Sequence, residues 1–171
     1  MHDSGEFPID RAQVLYNASG NERERGEDAK GRRMAKVEIA RTVLRYLLAV
    51  FFVGGGINHF RIPAWYVNLM PPYMPLHEEL VWLSGVTEVI AGVMVAVPAW
   101  SRWGGWFVIA HLIAFMPVHI HMAVNPERYT DMGPPGAMYF RIVLQGVFVV
   151  WAWWAAAART GAASEAPPGP A

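Results

Sequence analysis

From residue 39 onward the chain reads as four apolar stretches separated by short breaks. They cover about residues 39–57 (IARTVLRYLLAVFFVGGGI), 79–97 (ELVWLSGVTEVIAGVMVAV), 103–124 and 137–158. Each approaches the ~20 residues that a helix needs to cross ~30 Å of hydrocarbon. Pro71, Pro72 and Pro75 punctuate the first connection, and Pro98 closes the second stretch. Asn125-Pro126 and Gly133-Pro134-Pro135-Gly136 break the chain before the fourth. A soluble helix keeps a polar face opposite its apolar one, and GVFVVWAWWAAAA has almost none. The pattern predicts an all-α fold, an integral membrane four-helix bundle over residues 37–159, embedded in a lipid bilayer.

Composition sharpens this picture at the N-terminus. Of the 28 Asp, Glu, Lys and Arg residues, 15 fall in the first 38 positions. The later residues therefore carry too little charge for an ordinary water-facing surface. Residues 1–36 are polar and of mixed charge (GNERERGEDAKGRR). Such composition buries too little apolar area to offset ordering entropy, so a disordered or flexible extension is expected there. Residues 160–171 are expected to form a flexible tail. Lys and Arg near segment ends set orientation. Arg32, Arg33, Lys36, Arg41, Arg102 and Arg159 outweigh Arg61, Arg128 and Arg141. Both termini are thus expected in the cytoplasm, in a multi-pass protein of the cell (inner) membrane. The chain has no cysteine, which excludes disulfides and thiol relays. Its net charge is zero and its basic residues form no stripe, so no nucleic-acid partner is expected.

Several polar residues lie where lipid should be. A charge at mid-membrane costs at least ~2.5–3.5 kcal/mol and calls for a partner or a purpose. Glu88 sits near the middle of the second stretch, and Ser84, Glu88 and Gly92 share one helical face. Arg141 and Gln145 share a face of the fourth, while Asn58 and His59 end the first. At 1.5 Å per residue, Glu88 and Gln145 lie about 12 Å below the outer ends of their segments, and Arg141 about 6 Å. A polar pocket in the outer half of the bundle is therefore expected from Asn58, His59, Glu88, His119, Arg141 and Gln145, with an Arg141–Glu88 pair. These are candidates for ligand binding or proton handling; the same cluster read structurally would only set helix register. Trp65, Tyr66, Tyr73, Trp100, Trp103 and Trp106 fit interfacial aromatic belts.

The stretch MPVHIHMAVNPERY raises the question of metal or haem. On a helix His119 and His121 point about 200° apart, so both cannot face one ion. His111 and His119 come nearer to one face but lie ~12 Å apart along it. No metal site is expected, and these two histidines are the only weak candidates for one. His119 is the inward candidate and His121 an interfacial residue.

The blocks GGGINHFRIPAWYVNLMPPYMP, LVWLSGVTEVIAGVMVAVPAWSRWGGW, FMPVHIHMAV and RIVLQ together resemble DoxX-like small membrane proteins. The resemblance rests on Gly56 and His59, Pro71 and Pro75, Gly85 and Glu88, Pro117, Met122, and Arg141 with Gln145. The chain departs at His119, where similar proteins carry Asn. The resemblance implies a four-helix membrane bundle and a redox-associated accessory role, with a quinone as the cofactor to test. A membrane or peripheral redox protein is the implied partner. The chain is then a subunit of a quinone-linked oxidoreductase rather than an enzyme by itself. Two other readings stand beside it. One is a non-catalytic assembly or binding protein whose polar cluster is structural; the other is a proton-coupled transporter of a small solute, working as a homo-oligomer.

Overall fold

A computed structural model describes residues 11–158, and among these every regular element is helical. The order is α1 (Arg11–Arg61), α2 (Pro63–Leu69), α3 (His77–Ala96), α4 (Ser101–Val124), a 3-10 turn (Pro126–Met132) and α5 (Pro135–Ala152), which runs into a π-turn (Trp153–Ala157). Residues up to 40 and residues from 41 form two separate compact units.

Three helices are long and apolar enough to cross a membrane: His77–Ala96, Ser101–Val124 and Pro135–Ala157. They mark a membrane protein and fall within two residues of the expected second, third and fourth stretches. The expected first span is not an element of its own. Residues 39–57 continue the charged helix α1, which is 51 residues long. In the N-terminal extension, where a disordered or flexible segment is expected, residues 11–36 take helical backbone. Arg, Glu, Ala and Lys are strong helix formers, and Asp28 with Arg32 gives an i, i+4 pair of the favoured polarity. Local propensity thus supports a helix that buries nothing, as residues 21–40 are exposed throughout. Residues 1–10, Arg159 and the expected tail at 160–171 lie outside the described residues.

In the second unit the end of α1, α3, α4 and α5 pack by close backbone approach. A β-carbon added at Gly56 would stand 2.7 Å from the Gly85 carbonyl oxygen and 2.8 Å from the Val89 nitrogen, which brings α1 against α3. At Gly104 it would meet the Val95 nitrogen at 2.6 Å, which closes α3 on α4 after the turn at Pro98. Such small-residue contacts replace the hydrophobic drive that lipid removes. Gly54 has nothing within 4 Å, so only part of the GGG run packs. Gly133, at φ 133°, turns the chain into Pro134 and Pro135, which start α5 where no helical N–H is missed.

Two cores result. One joins Leu48, Phe52, Ala91, Val95, Val108 and Ala152 near the α3–α4 turn. The other joins Leu69, Val118, Met122, Tyr129 and Met138 at the opposite, loop-rich end. Arg41 ties α1 to the end of α5: Nε donates to the Ala155 carbonyl at 3.5 Å and Nη2 to that of Ala158. These are carbonyls that a helix terminus leaves without partners. Arg41→Ala is expected to cost about 1–2 kcal/mol, read as a lower thermal midpoint in detergent. An unchanged midpoint would show that the cap contributes nothing.

Candidate functional site

Between the two cores lies a cavity of about 730 Å³. Its walls are apolar, from Phe52, Val81, Phe107, Leu112, Phe115 and Phe148 among others. Its polar groups are His59, Ser84, Thr87, Glu88, His111, His119, Arg141 and Gln145. Five of the six residues singled out in the sequence therefore face one space, together with His111. The sixth, Asn58, does not line it.

The centre of the cluster is His59 with Glu88. His59 Nδ1 lies 3.1 Å from the Gly55 carbonyl oxygen and 3.3 Å from Glu88 Oε2. A carbonyl only accepts, so the Nδ1 position carries the proton and Nε2 is the free nitrogen. Glu88 fits because position 55 is glycine: a β-carbon there would stand 2.7 Å from Oε1. The i, i+4, i+8 face of α3 is indeed the packed one, with Ser84 and Gly92 buried. Ser84 bonds back to the Val81 carbonyl at 2.7 Å.

The expected Arg141–Glu88 pair is replaced by His59–Glu88. Arg141 instead carries its guanidinium over the Trp65 ring, 5.9 Å from the centroid. The reason lies in α2. Pro63 starts a short helix that folds Trp65 and Tyr66 back over the cavity. Tyr66 stacks on His59 at 3.7 Å between ring centroids. Tyr66 turns inward from the belt role read from sequence, whereas Trp65 lines the cavity yet stays exposed, as Trp100, Trp103 and Trp106 are. The sequence signal for α2 was the Ile62-Pro63 step, which favours an N-terminal helical position. Burial pushes the Tyr66 phenol up from its ordinary value, so it stays a neutral donor beside His59.

The histidines of α4 divide by face. His111 and His119 line the cavity, whereas His121 does not. Thr87 Oγ1 lies 3.4 Å from His111 Nδ1, and it also donates to the Leu83 and Ser84 carbonyls. His119 Nδ1 is buried without a hydrogen-bond partner. His121 meets Asn125 at 3.2 Å and sits edge-on to Tyr73 and Tyr129. Gln145 is 5 % exposed and donates to the Leu112 carbonyl at 3.3 Å. That bond occupies one amide hydrogen and leaves the other with the amide oxygen for a ligand. Among the described residues no three His, Asp or Glu side chains converge as metal ligands.

The cavity also has a mouth. Leu83 on α3 is exposed in line with Trp82, Val86 and Ile90, and Ala110 and Ala114 on α4 in line with Trp106, Ile113 and Ile120. Leu83, Ala110 and Ala114 belong to these outer stripes and to the cavity wall at once. The space therefore opens sideways between α3 and α4, onto the faces that lipid would cover.

A family model described as a domain of unknown function (DUF8561) matches residues 48–156, which include every side chain of the cavity. No curated protein and no solved structure matches the chain.

Proposed function

Because the chain belongs to the DUF8561 family, a domain of unknown function, its role has to be read from its own site, and we propose a membrane accessory protein that binds a lipid-soluble redox ligand of the quinone class. In this reading the apolar end of α1 serves as a fourth span, both termini are cytoplasmic, and the DoxX-like resemblance reflects a common four-helix architecture. The observation that carries it is the cavity itself: apolar aromatic walls, a sideways mouth, and hydrogen-bonding groups that face one space. Ligand sites have this composition, with a small number of polar groups fixing orientation.

A quinone ring fits the donor set. The orphan His119 Nδ1 and the Gln145 amide can meet a ring oxygen, and His59–Glu88 can hold a proton opposite them. The bound group would supply two-electron, two-proton chemistry; the chain's own part is to admit it from the bilayer, orient it and exclude water. A redox protein at the membrane would be the partner that exchanges electrons with it.

The test is an absorption spectrum and a mass-spectrometric organic extract of protein purified in mild detergent. Near-stoichiometric quinone is expected, falling at least about fivefold in Glu88→Gln if that residue contributes a charge-assisted hydrogen bond. Bulk lipid alone, identical in wild type and variant, would refute the quinone reading. That result would favour the assembly protein, for which the self-contained His59–Glu88–Gly55 contact is the supporting observation.

A further inference from the structure

Among the described residues Arg141 is the one Arg or Lys that lines the cavity, and no carboxylate lies within ion-pair distance of it. Among the described residues the group it meets directly is the face of Trp65. A ring face attracts the guanidinium but accepts none of its five N–H bonds. Glu88, the cavity's one carboxylate, is already engaged by His59. Counting from the loop-rich starts of α5 and α3, Glu88 also lies roughly 8 Å farther from that end than Arg141. His119 faces the same space. Its Nδ1 is buried and unpartnered. Arg141 thus brings N–H donors that need an acceptor to one end of an apolar cavity, where lipid chains can offer none, and His119 adds an unpartnered ring nitrogen to the same space.

We propose that Arg141 and His119 form an anion subsite, and that the cavity accepts a membrane-soluble amphiphile with a single carboxylate head and an apolar body. This rests on the reading of the cavity as a site for a lipid-soluble ligand. It adds a selection by charge that a neutral quinone would not need. The planar guanidinium fork matches a carboxylate in a way that a point charge does not. The body of the ligand has Phe51, Leu80, Phe115, Leu144 and Phe148 to lie against, and the mouth at Leu83 and Ala114 lets a longer chain pass into the bilayer.

The experiment compares a fluorescent polyene fatty acid, cis-parinaric acid, with its methyl ester. Both are titrated into the full-length protein in mild detergent at neutral pH. The acid is expected to bind at least about tenfold more tightly than the ester, the ratio that one charge-assisted contact confers. Arg141→Gln is expected to collapse that ratio while leaving the ester's affinity as it was, and Arg141→Lys to restore part of it. Equal binding of acid and ester by the wild type, or an Arg141→Gln variant that weakens both alike, would overturn the anion subsite and leave the cavity reading intact. Binding of neither probe would defeat the subsite together with the cavity reading for chain-bearing ligands. The wild-type ratio requires no variant, so the proposal is decided even if Arg141→Gln fails to fold.

Discussion

Gly56→Ala is expected to destabilise the protein by about 1–3 kcal/mol, the range for forcing atoms into a packed interior. Gly54→Ala, two residues earlier in the same helix, is expected to be neutral or to stabilise by up to about 1 kcal/mol. The two substitutions are chemically identical and share a helix, so propensity cannot separate them. What differs is the neighbour. At position 56 the new carbon meets main-chain atoms of Gly85 and Val89, which cannot swing aside as a side chain can. At position 54 nothing lies within 4 Å. The helices must move apart, and the cost spreads over every contact between α1 and α3. Thermal or denaturant unfolding in detergent measures the pair. Equal midpoints for both variants would show that α1 does not dock on α3 through this face, and would remove the apolar end of α1 as a candidate span.

The second large effect concerns His59 and Glu88. Glu88→Leu leaves the imidazole buried against an apolar side chain, at a cost of about 1–3 kcal/mol. His59→Phe leaves the buried Glu88 carboxyl without its His59 partner, and a polar group so stranded costs about 1–3 kcal/mol. The double variant His59→Phe/Glu88→Leu removes both polar groups at once and is expected to recover much of that loss, because matched apolar replacement of a buried pair is often close to neutral. A double-mutant cycle reads the coupling directly. Additive losses would mean that the contact seen at 3.3 Å carries no energy of its own. The same double variant separates structure from function. If the pair serves a ligand, the protein folds and its ligand content falls; if it only sets helix register, neither changes.

Both predictions depend on features that differ in how far the sequence could disclose them. Helix class and approximate limits were legible, because hydropathy over 20 residues and proline punctuation are local properties of the chain. The inward face of α3 was legible as well, since Ser84, Glu88 and Gly92 recur at helical spacing and an isolated carboxyl cannot face lipid. The helical state of residues 11–36 was not legible: low apolar content argues against burial, and a solvated helix needs none.

The partner of Glu88 could not be read along the chain. His59 and Arg141 were both candidates by depth, and depth along an axis says nothing about azimuth. The choice came from how α1 and α3 meet, with Gly55 clearing space for the carboxylate and Gly56 bringing the backbones together. Trp65 and Tyr66 were hidden for a related reason: interfacial aromatics look alike whether they face lipid or fold inward, and only α2 turning back after Ile62 decides between them. The sequence by itself determined which segments are apolar helices and which polar side chains must avoid lipid, because solvation acts on each residue separately. The tertiary structure alone decided which of those side chains meet, setting Glu88 beside His59 and Arg141 over the Trp65 ring, because pairing depends on the rotation and close approach of whole helices.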